Sequence, residues 1–255
     1  MGCSSGPDVV EDGLVLCLDA ASKRSYSGSG TTWVDVVRGN NGTLTNGPVF
    51  NSGNGGYFSF DGTNDDCLVP TKLVYNTDYD NVARVAATWF PELRTDFHVD
   101  FVCRPYSSIT IRSESSGGLG GTSGQKYLFG NLFSPDAVSS GAGICISLAQ
   151  NAIQIFAHAA NHMPCLLSYE GNFNTITHFA INFINNQPSV FVNGDLKRSR
   201  SVNTRVATFN MNAVGSNTQY YGGVNADIYC VRLYNKSFTT DEIRRNYLST
   251  KERYQ

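Results

Sequence analysis

A hydrophobic alternation with a period of two, repeated in short runs along most of the chain, constrains this sequence more than any other feature. In FHVDFVCRP the residues Phe97, Val99, Phe101 and Cys103 fall on one face of an extended backbone, and His98, Asp100 and Arg104 fall on the other. That is the pattern of a strand with one face against a core. The same reading holds for ICISLAQ (Ile144, Ile146, Leu148), AIQIFAH (Ile153, Ile155, Ala157) and THFAINFI (Phe179, Ile181, Phe183). PSVFVNGDLKRS adds Asn193-Gly194 at the centre of a tight hairpin, where both residues need positive φ. Short strands broken by Gly/Asn turns predict an all-β, antiparallel two-sheet sandwich.

One helix breaks the pattern, near the C-terminus. FTTDEIRRNYLSTKERY places Thr239 as N-cap and Glu242 three residues on, a capping box with acids in the first turn and Lys251 and Arg253 near the end. Ile243 and Tyr247, four apart, pin it to the sandwich. The Ser/Gly-rich SESSGGLGGTSG (113–124) reads as a mobile loop, because strand signals resume at once in QKYLFG.

At 255 residues one large domain, 1–255, is expected. A net charge of −2 with 16% charged residues and no Lys/Arg block argues against nucleic acid or an anionic membrane as partner. No apolar run reaches the ~18 residues of a membrane span, and the opening MGCSSGPDVVEDG lacks the basic region and long apolar core of an export signal. Seven cysteines without a CxxC pair fit free buried thiols and synthesis in a reducing compartment.

Five segments together, DGLVLCLDA, TTWVDVVRGNNGTLTNGPVFNSGNGGYFSFDGTNDD (31–66), KYLFGN, FVNGDL and ADIYCVRLYNKSFTTDEIRRNY (226–247), resemble the laminin-G-like, concanavalin A-like lectin/glucanase superfamily. The likeness is greatest to versions in structural proteins of tailed bacteriophages. The resemblance implies a jelly roll of a dozen or more strands. The chain departs from relatives in an insertion at about 71–96, which carries Tyr75, Tyr79, Arg84, Trp89 and Phe90, and in Val102 and Ile176, which stand where many relatives have Trp. Aromatics and arginine dominate interface hot spots, so these five insertion residues are candidate interface anchors; the alternative is a local cover on the subunit itself.

Asn64, Asp65 and Asp66 form a candidate calcium site, since calcium collects six to eight oxygens and related lectin-like folds bind it near this strand end. The competing reading is a plain turn stabilised by Asp and Asn side chains. Tyr229, standing where relatives often have a second acid after Asp227, weakens the metal case. Hydrolase chemistry is not expected. Glycoside hydrolysis needs two carboxylates flanking the bond, yet none of the six glutamates is paired on a strand and Asp100 is alone among the acids of its own. HAANH (158–162) has metal-like spacing but lacks the glutamate of HExxH, and His178 reads as a surface or hydrogen-bonded residue.

The expected function is therefore a non-enzymatic virion protein of a tailed bacteriophage, either a capsid decoration or cement subunit or a tail or fibre component. It would be made in the host cytoplasm and resident in the virion. Its expected partners are other virion proteins such as the major capsid protein, further copies of itself and, weakly, a host surface glycan. The alternative is a carbohydrate-binding module acting at a cell surface, for which the discriminating feature is an exposed aromatic platform beside the Asn64–Asp66 loop.

Overall fold

The computed structural model describes residues 8–69, 72–76, 84–88, 93–130, 142–158, 162–200, 207–209, 213–215 and 222–254. Among them, alternation becomes two stacked sheets. The first holds β1 (Leu14–Asp19), β4 (Val49–Asn51), β5 (Tyr57–Asp61), β9 (Phe97–Pro105), β14 (Thr177–Ile184), β15 (Gln187–Val192), β16 (Asp195–Ser199) and β19 (Asn225–Tyr234). Its order is β16-β15-β14-β9-β19-β5-β4, with β1 also on β19. The second holds β2 (Thr32–Trp33), β3 (Gly42–Thr45), β6 (Asp66–Leu68), β10 (Tyr127–Phe129), β11 (Ala142–Ala149), β12 (Ala152–His158), β13 (Cys165–Glu170), β17 (Ala207–Thr208) and β18 (Ala213–Val214). Its order is β13-β12-β11-β10-β18-β6-β3-β2, and β17 adds one parallel pairing to β11. Among the described residues β7 (Lys72–Asn76) and β8 (Arg84–Thr88) pair only with each other, and α1 spans Thr240–Thr250.

The core lies between the sheets and contains the alternating residues expected from sequence. Phe97, Val99, Phe101, Cys103, Ile144, Ile146, Leu148, Ile153, Ile155, Phe179, Ile181 and Phe183 all belong to one buried cluster. Phe101 stacks on Phe179 at 5.4 Å within one sheet and meets Phe129 of the other edge-on at 5.6 Å. Such ring pairs add about 0.5–1.5 kcal/mol beyond area burial. Asn193 and Gly194 have φ of 53° and 80° and close the β15–β16 hairpin as expected. Asn185 and Asn186, at φ 50° and 62°, turn β14 into β15 in the same way. Six cysteines are free thiols, and Cys3 lies outside the described residues.

Strand β9 departs from the half-buried expectation. Its second face is buried as well, with His98 and Asp100 fully enclosed. The cover is the C-terminal segment. Thr239 and Glu242 form the capping box, with Thr239 N donating to Glu242 Oε2 at 2.8 Å. α1 then turns Ile243, Asn246 and Thr250 inward, at i, i+3 and i+7. Lys251 is the C-cap and the last turn holds no base. Arg253 instead reaches Asp19 Oδ2 at 2.7 Å, and Tyr254 Oη donates to Asp19 Oδ1 at 3.2 Å.

Beneath α1 sits a buried polar cluster. Asp100 Oδ1 lies 3.1 Å from His178 Nε2 and 3.2 Å from Arg232 Nη1, and its Oδ2 accepts from Asn246 Nδ2 at 2.8 Å. Burial by itself would raise the Asp100 carboxyl, but His178 and Arg232 reverse this and hold it well below the usual carboxylate range. Burial pushes His98 down to about 4. His178 is therefore not a surface residue, and it and Asp100 belong to the clasp that fastens α1 to the sheet.

The Ser/Gly-rich loop is tied down rather than mobile. Gly121 N donates to Met163 O at 2.9 Å, Met163 N to Gly118 O at 2.8 Å, and Glu114 receives Arg198 through both oxygens at 3.0 Å. Its glycines permit tight reversals, and the hydrogen bonds fix them. A Cβ on Gly121 would come within 2.8 Å of Phe156 and of the Tyr127 hydroxyl.

Candidate functional site

The outer face of the first sheet, away from α1, opens into a groove of about 520 Å³. Alternation supplies its floor. In β5 the residues Phe58 and Phe60 enter the core, so Tyr57, Ser59 and Asp61 point outward. β19 pairs with β5 in the register Asn225↔Asp61 and Asp227↔Ser59, which brings two more polar side chains onto the same face. Tyr106, just past the end of β9, closes one wall, and Asn46, Gly47 and Asp65 close another.

Internal hydrogen bonds hold Ser59, Asp61, Asp65, Tyr106, Asp227 and Asn46 in the groove. Asp227 accepts Ser59 Oγ at 2.6 Å on Oδ1 and a short bond from the Tyr106 hydroxyl on Oδ2. Burial, then this carboxylate, pushes the Tyr106 phenol up to about 12. Tyr106 as a residue nonetheless stays 41% exposed. Asp61 Oδ1 accepts Thr63 N at 2.7 Å, the main reason its carboxyl is lowered. Asp65 Oδ2 accepts Asp61 N at 3.0 Å, while burial raises its carboxyl. Asn46, at φ 62°, donates from Nδ2 to Asn64 O at 2.8 Å.

The three residues read as one candidate site are thus divided. Asp65 lines the groove, Asn64 is exposed and engaged through its carbonyl, and Asp66 is buried outside the groove lining. Burial, then the charge of Asp65, pushes Asp66 up to about 7, and its Oδ1 has no partner among the described residues. No group of three or more His, Cys, Asp or Glu side chains gathers to hold a metal ion among the described residues. Of the insertion, Tyr75 lies on β7 opposite Val85, and Arg84 on β8 opposite Asn76. Tyr79, Trp89 and Phe90 lie outside the described residues.

Sequence reasoning passed over Tyr106, Asp61 and Asp227 as site residues. The signal was present: Tyr106 extends the outward even-numbered row of β9, and Asp227 is an outward acid in the otherwise apolar ADIYCV.

Residues 123–244 match the Laminin_G_3 family model, the concanavalin A-like lectin/glucanases superfamily. No curated protein matches the chain by sequence. Among solved structures, a Trypanosoma rangeli sialidase in complex with the inhibitor DANA is 15% identical, with a TM-score of 0.55 over 100% of this chain and 36% of that one. The receptor-binding domain of botulinum neurotoxin type G is 14% identical, with a TM-score of 0.52 over 92% of this chain and 51% of that one. The receptor-binding domain of the botulinum neurotoxin C/D mosaic serotype is 14% identical, with a TM-score of 0.58 over 93% and 51%. The chain spans between 36% and 51% of the lengths of these structures. At such identities the likeness is one of fold, and that fold is a concanavalin A-like sandwich.

Proposed function

We propose that the chain is a non-enzymatic, lectin-like glycan-binding protein whose site is the groove of Tyr106, Asp61, Asp65 and Asp227. The supporting observation is a partly exposed Tyr106 standing in an acid- and amide-lined groove beside the Asn64–Asp66 loop. A sugar ring presents an apolar C–H face and a rim of hydroxyls. A tyrosine face accepts the first, and fixed carboxylates and amides orient the second. Binding fits the carboxylates better than hydrolysis does, because Asp61, Asp65 and Asp227 each hold an internal donor and glycosidase chemistry needs an acid and a free base or nucleophile across the bond. A glycan-array screen followed by titration calorimetry tests this. Tyr106→Ala is expected to weaken the best ligand at least about tenfold. Absence of any glycan ligand, or an unchanged affinity in this variant, refutes the site.

A second reading places the same fold in a tailed-phage virion, as a capsid decoration or tail component on a partner such as the major capsid protein. It is supported by the sequence resemblance and by the β7–β8 hairpin, which pairs with neither large sheet among the described residues. The hairpin with Tyr75 and Arg84 would be the contact. Deleting 72–88 should leave the melting temperature of the isolated chain nearly unchanged and abolish its recovery on purified particles. Retained attachment would exclude the hairpin.

A further inference from the structure

Arg104 on β9 and Asp227 on β19 are cross-strand partners on the outer face of the sheet. Facing residues of opposite charge ordinarily pair, but Asp227 is taken by the Tyr106 and Ser59 hydroxyls. The Arg104 guanidinium instead lies over the Tyr106 ring, 5.3 Å from its centre, and forms no ion pair among the described residues. Arg104 is exposed and also lines a second cleft of about 640 Å³, between the sheet and the end of α1, whose walls include His178, Asn193, Tyr247 and Lys251. The Arg104–Tyr106 stack therefore stands between the groove, which Tyr106 lines, and the cleft, which Arg104 lines. The groove side offers three carboxylates, whereas the cleft side is lined by Arg104, Lys251 and Glu252, the last two 3.6 Å apart.

We infer that the site takes an acidic oligosaccharide of two or more residues, with a neutral sugar against the part of Tyr106 that Arg104 leaves exposed and the carboxylate of the adjoining sugar received by Arg104 at the mouth of the cleft. The inference rests on the glycan-binding reading and names its ligand class. A planar guanidinium donates two parallel N–H bonds to a carboxylate, and stacking on Tyr106 orients the fork in advance. The carboxylates of the groove disfavour an anion on their own side, so the charge of the ligand also sets its direction of binding.

The test is calorimetric titration of the full chain with sialyl-galactose and with glucuronyl-glucose, each as the free acid and as its methyl ester. At least one acid should bind about tenfold more tightly than its ester, and the two probes distinguish the source of the carboxylate. Arg104→Gln should abolish the preference of the wild type for the acid over its ester. Arg104→Lys should recover only part of it, because an ammonium lacks the fork. Acid and ester binding equally in the wild type, or a preference that survives Arg104→Gln, overturns the inference while leaving the groove as a neutral-sugar site. If none of these probes nor any arrayed glycan binds, both readings fall. A poly-glutamate peptide that displaces the acid sugar at equal concentration would overturn the sugar class.

Discussion

Strands β9 and β19 carry the same charge pair twice on the same outer face, Asp100 opposite Arg232 and Arg104 opposite Asp227, and the two pairs behave differently. Under α1 both members are buried and the pair closes at 3.2 Å, with His178 and Asn246 completing the coordination of Asp100. Four residues along β9 no helix covers Arg104, so water solvates the guanidinium and Asp227 takes two nearer hydroxyls instead. An ion pair with one member in water is worth about 0–1 kcal/mol, too little to compete with that geometry. A charge that is fully enclosed must find its partner, because an unpaired buried charge costs several kcal/mol. The cover therefore decides which pair fastens the fold and which is left to meet a ligand.

The largest expected effect is at the covered pair. Asp100→Ala should lower unfolding free energy by about 3–5 kcal/mol in urea titrations, since it strands Arg232. Asp227→Ala should cost about 1–2 kcal/mol, the loss of two hydroxyl bonds. Equal costs would break the comparison.

Acid should separate His98 of the clasp from Asp66 beside the groove next, because their shifts have opposite sign. His98 is lowered from 6.5 to about 4, so the unfolded chain takes up that proton first, and stability present above pH 6.5 declines as pH falls towards 4. Asp100 is depressed too, and its contribution persists until pH falls below the ordinary 3.8. Asp66 beside the groove is raised from 3.8 to about 7, so its protonation favours the folded chain as pH falls from 7. Urea midpoints from pH 7.5 to 4.5 should therefore fall less steeply in His98→Phe than in the wild type, and more steeply in Asp66→Asn. Parallel profiles would show that neither group is linked to folding.

Smaller effects sharpen the assignment. Thr239→Ala removes the cap of the covering helix and should cost about 1 kcal/mol by thermal unfolding. Arg104→Gln, by contrast, should change stability by no more than about 0.5 kcal/mol. A larger loss would mean that Arg104 is structural after all.

The sequence alone determined the sandwich, because its evidence is local. The inward residues Phe97, Val99 and Phe101, the paired positive φ values at Asn193-Gly194, and the Thr239–Glu242 capping box are each properties of residues a few positions apart. The fate of the outward residues was not legible in that way. His98, Asp100, Arg104 and Tyr106 form one polar row along β9 and its end, and nothing within the row distinguishes a buried clasp from a binding wall. Asn246, 146 positions from Asp100, encloses one end, and Asp227, 121 positions from Tyr106, shapes the other. Contiguous acids drew attention to Asn64–Asp66, whereas the groove collects Asp61, Tyr106 and Asp227 from separate strands. Periodicity records which way a side chain points from its own backbone. Only the order of strands in the sheet and the path of the C-terminal segment decide what that side chain meets, because burial and charge pairing are set by whichever distant residues arrive on the same face.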